Sequence, residues 1–435
     1  MSDLVARTNL AIDEHAPVFA RLLSPLARRC ALPMDIPVQA DDARGKTFNG
    51  TIGIVTDGRG GSMPLPSMAA AVALEGQDFH RAFLYSPVAG LPEVRQRWRQ
   101  WQRRGQPEER ASSLPVVTVG LAHGLSLVAD LFGCEGRVLA IPTPYWGNYR
   151  QTFTTRTGTR VVSAAGIRDG GYNCTAIEEA LAGAGLAAGE PALALLNLPS
   201  NPGGYSLTGP ERAAVRASLM RVADERPLLV LCDDAYAGLV YEPDVPAESM
   251  YWQLVGCHPQ LFPVKVDGAT KEFSFFGGRV GFLTFPFEPG SPVAEALDSK
   301  ASCLIRAAVG SPVATSQMIL LQALRREAVA DEVEAVRRVL AERYVRLRAA
   351  LDGTNRELLV PQPFNSGCFA LVELPEALGV TSEQVRQHLL AHHDTGLVSL
   401  GTRYVRIAHC SVEAEALPEM VRRLERAVAE LSGRA

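Results

Sequence analysis

Five short apolar runs between residues 160 and 285 constrain the fold of this chain more than any other feature. Helical patterns at about 175–187 and 209–225 separate some of them. Apolar strands that alternate with helices are typical of a mostly parallel sheet covered by helices on both faces. The spacing therefore predicts an α/β fold whose large domain has three layers, α/β/α. The five runs are VVSAA, LALLNL, PLLVLC, FPVKVD and VGFLTF.

The rest of the chain predicts a second, smaller α+β domain. Its C-terminal part contains strand ELLV, the segment PFNSGCFALVEL, a helix at 382–393, strand YVRIAHC and a last helix at about 413–431. Near the N-terminus, TIGIV and a glycine-rich turn indicate a chain that crosses between two bodies. The other helices are predicted at about 10–29, 66–76, 292–308, 312–328 and 331–351.

These patterns divide the chain into three parts. Residues 1–62 are predicted to form an N-terminal segment and part of the small domain. Residues 63–335 are predicted to form the large domain, and residues 336–435 the C-terminal small domain. The small domain would thus be built from both chain ends.

Polar side chains follow three of the predicted strands, at the point where each strand ends. LALLNL leads to Asn201, PLLVLC leads to Asp233 and Tyr236, and FPVKVD leads to Lys271. In parallel sheets, ligands bind beyond the carboxyl ends of the strands, so these side chains are expected to share one site. A single aspartate at a strand end is often a helix cap, and Asp234 stays an alternative to Asp233.

Lysine is scarce in this chain, which makes Lys271 conspicuous. Only Lys46, Lys265, Lys271 and Lys300 occur among 43 basic residues. Arginine stays charged, whereas a lysine amine can form a Schiff base and move protons once burial lowers its pKa. The neighbours of Lys271 are small or aromatic, so it is expected to face inward; a surface turn is the alternative.

Composition excludes several classes of protein. An apolar content of 47% and a net charge of −4 indicate a globular chain without a nucleic-acid or membrane partner. The eight cysteines are scattered without a CxxC pair, which favours a reduced, cytoplasmic protein. The N-terminus shows no signal peptide. His392 and His393 lack further ligands at metal-binding spacing, so no metal is predicted.

Three motifs together resemble those of the pyridoxal-phosphate-dependent aminotransferases of class I/II, which are aspartate aminotransferase-like with fold type I. They are Asn201-Pro202-x-Gly204, Asp233-x-Ala-Tyr236-x-Gly238, and Lys271 followed eight residues later by Arg279-Val-Gly. Softer matches extend the resemblance from about Gly53 to Arg406. The resemblance implies an enzyme that moves an amino group between an L-amino acid and a 2-oxo acid, with 2-oxoglutarate as one candidate acceptor.

The resemblance also implies how pyridoxal 5′-phosphate would be held in the large domain. Lys271 would hold it covalently and move protons, and Asp233 would pair with the pyridine nitrogen. Trp146 would stack on the ring, with Tyr145 as the alternative. The residues assigned to the cofactor are Lys271, Asp233, Tyr236, Asn201, Arg279, Trp146, Tyr85, Leu121, Ala122 and Thr270.

Three residues are assigned to the substrate by the same resemblance. Arg406 would bind the α-carboxylate, and a surface strand arginine is the alternative. Gly53 is also assigned to substrate binding. Arg306 would bind the distal carboxylate of a dicarboxylate substrate, and the alternative is that Arg306 is an ordinary arginine on a helix surface. In a homodimer, Tyr85 and Arg306 would reach the site of the partner subunit.

The chain departs from the family pattern at three positions. Gly203 stands where many relatives have threonine, and Gly268 and Ala122 stand where a hydroxyl often binds phosphate. Cofactor binding is then expected to depend more on Arg279, Thr270 and backbone donors.

Two other functions share these motifs. The same fold and cofactor could carry out oxidation, elimination, cyclisation or decarboxylation of an amino acid. A non-enzymatic cofactor-binding regulator is not expected, because the segment before residue 50 is too short for a winged helix and has no basic patch.

Overall fold

The computed structural model describes residues 2–32, 36–58 and 60–434. The strands are β1 (Phe48–Asn49), β2 (Val116–Val119), β3 (Val138–Ala140), β4 (Arg160–Val162), β5 (Ile167–Arg168), β6 (Gly171–Tyr172), β7 (Ala192–Asn197), β8 (Leu228–Asp233), β9 (Leu261–Gly268), β10 (Val280–Thr284), β11 (Val360–Pro361), β12 (Phe369–Glu373), β13 (Thr395–Gly396), β14 (Val398–Leu400) and β15 (Tyr404–Ala408).

The helices are α1 (Ser2–His15), α2 (Pro17–Ala20), α3 (Pro25–Arg29), α4 (Ile36–Asp42), α5 (Pro66–Ala71), α6 (Gly76–Ala82), α7 (Pro92–Gln102), α8 (Gly120–Phe132), α9 (Ala176–Ala182), α10 (Gly209–Glu225), α11 (Tyr251–Leu254), α12 (Ala269–Glu272), α13 (Pro292–Val309), α14 (Ala314–Leu324), α15 (Val329–Asp352), α16 (Ser382–His392) and α17 (Leu417–Ser432). Shorter 3₁₀ turns and one π-helical turn, Arg150–Thr155, complete the described elements.

A seven-stranded sheet with the order β2-β10-β9-β8-β7-β3-β4 forms the centre of the large domain. β10 runs antiparallel to both of its neighbours, and the other strand pairs of this sheet are parallel. Alternate residues of each strand point to opposite faces. Leu196 therefore packs with α9 and α10 on one face, and Leu195 packs with α8 and α13 on the other. The predicted three-layer α/β fold is confirmed.

A four-stranded sheet with the order β11-β12-β15-β14 forms the smaller body. Its core packs against α15, α16 and α17. The N-terminal segment joins this body through β1, which pairs in parallel with β13. This pairing agrees with a small domain built from both chain ends. The bounds at 62 and 335 stay predictions, and the second falls inside α15.

Several predicted elements differ from the observed ones in extent. The helix predicted at 10–29 is three helices, because Pro17 and Pro25 lack a backbone N–H and each begins a new helix. The helix predicted at 66–76 is likewise two, α5 and α6. Of the predicted strand ELLV, only the last residue, Val360, lies in a strand, β11. The helix predicted at 175–187 is the shorter α9.

Two further properties follow from the described residues. None of the helices within them combines the length and the apolar character needed to cross a membrane. All eight cysteines are free thiols, and Cys232, Cys368 and Cys410 are buried. The cytoplasmic location stays a prediction.

Candidate active site

A cavity of about 390 Å³ lies beyond the carboxyl ends of β7, β8 and β9. It brings together eleven of the residues assigned from the sequence. Tyr85 and Arg306 are exposed and do not line it. The lining residues are Ile36, Pro37, Ile52, Gly53, Leu121, Ala122, Trp146, Tyr149, Asn197, Asn201, Asp233, Ala235, Tyr236, Thr270, Lys271, Arg279, Phe369 and Arg406.

Lys271 enters the cavity from α12, the single helical turn that follows β9. Its Nζ donates a hydrogen bond of 2.8 Å to the carbonyl oxygen of Gly53. Nζ also lies 4.7 Å from the ring centre of Phe276. Burial lowers the pKa of Lys271, and the nearby Arg406 guanidinium lowers it further. The amine therefore loses its proton more easily than an exposed lysine does.

Asp233 ends β8, with only 2% of its surface exposed. Its Oδ2 accepts a hydrogen bond of 2.6 Å from the hydroxyl of Tyr149, and its Oδ1 accepts one of 3.1 Å from the backbone N–H of Ala235. Burial raises the pKa of Asp233 to about 6, although the hydrogen bond from Tyr149 lowers it in part. The carboxylate is thus oriented into the cavity and largely ionised at neutral pH.

Asp234, the alternative to Asp233, does not line the cavity. It lies near Lys265, which is buried and forms an ion pair of 2.9 Å with Asp267. Burial raises the pKa of Asp234 to about 7. The geometry therefore favours Asp233 as the carboxylate of the site.

Tyr149 gives the first testable consequence. Its hydroxyl stabilises the ionised form of Asp233, so Tyr149→Phe is expected to raise the pKa of that carboxyl. Affinity for pyridoxal phosphate, measured against pH by fluorescence titration of the cofactor-free protein, should then begin to fall at a higher pH than in the parent protein. Tyr145→Phe is the matched control, because the Tyr145 hydroxyl contacts Arg150 instead. An equal shift in both variants would contradict this assignment.

The start of α8 forms an anion-binding end of the cavity. Gly120 has a φ of +73°, and a Cβ there would lie 2.2 Å from Nη2 of Arg279. The guanidinium therefore packs directly over the helix N-terminus, where backbone N–H groups of Leu121 and Ala122 lack helical acceptors. Nearby, the buried Thr270 hydroxyl has no hydrogen-bond partner within the described chain. A cation, helix amides and a free hydroxyl suit a phosphate group.

The departure at Gly268 has a steric cause. A Cβ at this position would lie 2.5 Å from the carbonyl oxygen of Val280 and 2.9 Å from Cα of Gly281. Serine therefore has no room here while β9 and β10 keep this spacing. At Gly203 the nearest atom to an added Cβ is Oγ of Ser200, at 3.0 Å, and space does not explain that glycine.

Arg406 lies at the other end of the cavity, with 2% of its surface exposed. Nη1 donates to Oδ1 of Asn201 at 3.1 Å, and Nη2 donates to the carbonyl oxygen of Thr51 at 2.6 Å. Burial lowers the pKa of Arg406 to about 10, so it stays charged at neutral pH. The alternative of a surface strand arginine is wrong. No carboxylate pairs with this guanidinium among the described residues, which leaves it available for an anionic ligand.

The aromatic residues of the site have different surroundings. Trp146 lines the cavity and meets Tyr149 edge to face, with ring centres 5.5 Å apart. Tyr145 lines a smaller neighbouring pocket, and its hydroxyl accepts a hydrogen bond of 2.7 Å from Nε of Arg150. Trp146 is therefore better placed than Tyr145 to stack on a ring in the main cavity.

Three further residues line the cavity and were not assigned from the sequence. The hydroxyl of Tyr149 donates a hydrogen bond to Asp233, a contact that the sequence does not predict. Asn197 accepts a hydrogen bond of 2.7 Å from the backbone N–H of Asn201, and it also lines the cavity. Its position as the polar end of an apolar strand was a usable signal. Nothing in the sequence distinguishes Phe369, whose ring centre lies 4.2 Å from the guanidinium carbon of Arg406.

The residues present fit pyridoxal phosphate. The Lys271 amine suits its aldehyde, the Asp233 carboxylate suits a protonated pyridine nitrogen, and the Arg279 end suits its phosphate. The orphaned Thr270 hydroxyl supports the same fit. This arrangement defines the class, an α/β protein of fold type I that binds pyridoxal 5′-phosphate.

Comparison with known proteins then places the chain in a family. Residues 52–424 match the family "Aminotransferase class I and II", and the chain belongs to it. Membership of this family confirms the cofactor predicted from the sequence, pyridoxal phosphate.

Curated relatives are distant. An aspartate aminotransferase of Bacillus sp. (strain YM-2) is 27% identical over 199 residues, which cover 46% of this chain and 47% of that protein. The matches to the first relatives therefore span about half of their length. A 2-aminoadipate transaminase of Thermus thermophilus is 26% identical over 390 residues, which cover 85% of this chain and 89% of that protein.

Solved structures agree with the fold. An aminotransferase of Anaerococcus prevotii has a TM-score of 0.79 at 19% identity, covering 92% of this chain and 98% of that one. An α-aminoadipate aminotransferase of Thermus thermophilus, complexed with N-(5′-phosphopyridoxyl)-L-leucine, has a TM-score of 0.73 at 23% identity, covering 96% and 100%. At these identities the likeness concerns the fold, which is fold type I as predicted.

Proposed function

We propose that this protein is an aminotransferase that moves an amino group between an L-amino acid and a 2-oxo acid. The observation that carries the proposal is a single cavity that holds the Lys271 amine, the buried Asp233 carboxylate and the Arg406 guanidinium. Membership of the aminotransferase family supports it.

Pyridoxal phosphate supplies an electron-accepting ring and a carbonyl carbon that can take up an amino group. Asp233 would hold the ring nitrogen in its protonated form, which would strengthen that electron acceptance electrostatically. Lys271 would hold the cofactor through its amine, and the same amine would accept and return the proton of the substrate Cα. Its lowered pKa favours the free amine that can accept this proton. Tyr236 and Asn201 would donate hydrogen bonds to the ring oxygen, and Arg279 with Thr270 would hold the phosphate.

Arg406 binds the α-carboxylate that both substrates share. Arg406→Lys keeps the positive charge but loses the bidentate hydrogen bonding that a guanidinium offers to a carboxylate. KM should therefore rise about 10- to 100-fold for the amino acid and the 2-oxo acid alike. Initial-rate kinetics with each substrate varied in turn measures both values. Arg403→Lys is the matched control, because Arg403 pairs with Glu373 at 2.7 Å outside the cavity. A change in only one of the two KM values would contradict a shared carboxylate site.

A residue of the partner subunit would determine which class of substrate the site accepts. The cations that line the described cavity are Lys271, Arg279 and Arg406, and each already has a role. A distal carboxylate would therefore need a cation from outside, and we propose Arg306 of the partner subunit. Two of the relatives are named aspartate aminotransferase and 2-aminoadipate transaminase. Aspartate and 2-aminoadipate are both dicarboxylic amino acids, which supports this proposal.

Arg306→Ala tests that proposal. It should raise KM for glutamate and 2-oxoglutarate by about tenfold or more, while KM for monocarboxylic substrates stays unchanged. Arg326→Ala, at another position near a helix end, provides a control. Unchanged use of glutamate and 2-oxoglutarate by Arg306→Ala would contradict the role.

We propose a homodimer on the basis of an apolar surface. Val72, Phe83, Leu84 and Tyr85 are exposed, and Tyr85 is 98% exposed. Soluble monomers rarely expose large contiguous apolar patches, so a second copy that covers these residues would explain them. In such a dimer, Tyr85 would reach the phosphate group of a cofactor bound in the partner's site. Analytical ultracentrifugation should give twice the chain mass; a monomer at micromolar concentration would contradict the assembly.

Half-reactions distinguish transamination from other chemistry. An amino acid alone should convert the bound cofactor to pyridoxamine phosphate, and a 2-oxo acid should convert it back, as followed by absorbance. Oxygen consumption or loss of the amino group as ammonia would instead indicate oxidation or elimination. A bound cofactor that responds to no amino acid would indicate the non-enzymatic regulator.

A further inference from the structure

Two imidazoles and a carboxylate converge on the outer side of the small domain. His388 lies in α16, His393 follows the end of α16, and Glu430 lies in the last turns of α17. Both imidazoles direct Nε2 towards the same carboxylate oxygen. His388 Nε2 lies 2.7 Å and His393 Nε2 lies 2.9 Å from Oε2 of Glu430. The three candidate ligand atoms all lie within 4.8 Å of one another.

The chemistry of this set suits a divalent cation of the zinc type. Imidazole nitrogen and carboxylate oxygen are both zinc ligands, at about 2.0–2.2 Å from the metal. Ligand atoms around tetrahedral zinc are then about 3.3 Å apart, so the N–O contacts need to open by only about half an ångström. Three protein ligands leave a fourth position for water.

The backbone that carries His393 is fixed, which reduces the cost of organising the site. Its carbonyl oxygen accepts hydrogen bonds from Nη1 of Arg423 at 2.5 Å and from Oγ1 of Thr395 at 2.8 Å. Its N–H donates to the carbonyl of Leu389 at 3.1 Å. Glu430 keeps an exposed edge, so a hydrated ion can reach the group from solvent.

We propose that His388, His393 and Glu430 form a site for a divalent cation such as Zn²⁺, which links α16 to α17 in the small domain. The sequence predicted no metal because the adjacent His392 and His393 have no further ligands at metal-binding spacing. The fold instead pairs His393 with His388 and supplies Glu430, which is 37 residues further along the chain. The site is separate from the cofactor cavity, and the proposal does not depend on the proposed activity.

Equilibrium dialysis of the untagged, cofactor-loaded protein tests the proposal with Zn²⁺ as the probe. After removal of metals with a chelator, the protein should bind one zinc ion per chain at this site. His388→Ala, His393→Ala and Glu430→Gln should each weaken that binding at least about tenfold. His392→Ala is the matched control, because His392 is exposed on the same helix but lies outside the ligand set.

Thermal unfolding provides an independent readout. Zinc should raise the unfolding temperature of the parent and of His392→Ala, because a ligand that binds the folded state stabilises it. It should not do so for the three ligand variants, and Glu430→Gln preserves the shape of the side chain if an alanine variant folds poorly. Zinc bound to cysteines would be insensitive to these changes. Absence of binding, or equal binding by all variants, would overturn the proposal.

Discussion

Replacing Lys271 with alanine is expected to lower kcat by about 10⁴-fold or more. The variant loses the only amine in the described cavity, and with it both covalent retention of the cofactor and the group that moves the proton. General acid–base catalysis alone accounts for factors of about 10²–10⁴, and the covalent role adds to that loss. Steady-state kinetics with excess pyridoxal phosphate measures the effect without confusing it with cofactor loss.

Lys300→Ala is the control for this experiment, because Lys300 is exposed on α13. It should keep the parent kcat. Added primary amines should restore part of the activity of Lys271→Ala, since a small amine can enter the space left by the side chain and accept the proton. A Lys271→Ala protein with kcat within tenfold of the parent would refute the catalytic role of this lysine.

Asp233→Asn should lower kcat by roughly 10³-fold, which makes it the second largest expected effect. Asparagine keeps the shape and the Tyr149 contact but removes the negative charge that would hold the ring nitrogen protonated. Removing one preorganised electrostatic contact from a dry site costs about 10²–10³-fold in rate, and a full charge lies at the upper end. Pre-steady-state measurement of cofactor conversion by an amino acid reports this step directly.

Asp234→Asn tests which of the two neighbouring aspartates is the partner of the ring nitrogen. Burial raises the pKa of Asp234 to about 7, so asparagine replaces a carboxyl that is already partly neutral at pH 7. Its carboxyl also faces Lys265 rather than the cavity. This variant should keep kcat within a few fold. If Asp234→Asn lost activity and Asp233→Asn kept it, the assignment of the ring partner would be reversed.

Much of the large domain could be predicted because its local and long-range signals agree. Four of the five apolar runs correspond closely to β7, β8, β9 and β10, and the fifth overlaps the shorter β4. Their polar ends meet because neighbouring parallel strands end on the same edge of the sheet. That rule explains why Asn201, Asp233 and Lys271 line one cavity.

The parts that could not be predicted depend on contacts between distant segments. Tyr149 and Asp233 are 84 residues apart, and no local pattern links a tyrosine hydroxyl to that carboxylate. The absence of a side chain at Gly268 is explained only by the position of Val280 on the neighbouring strand. The histidine and glutamate side chains of the proposed cation site come together through the packing of α16 on α17.

Borohydride reduction of the cofactor-loaded protein, followed by peptide mapping, tests the central claim most directly. The chain has four lysines, so the map is simple to interpret. Lys265 is buried, but it pairs with Asp267 at 2.9 Å outside the cavity. We expect one phosphopyridoxyl group per chain, attached to Lys271. Attachment to Lys46, Lys265 or Lys300, with Lys271 unmodified, would contradict the account.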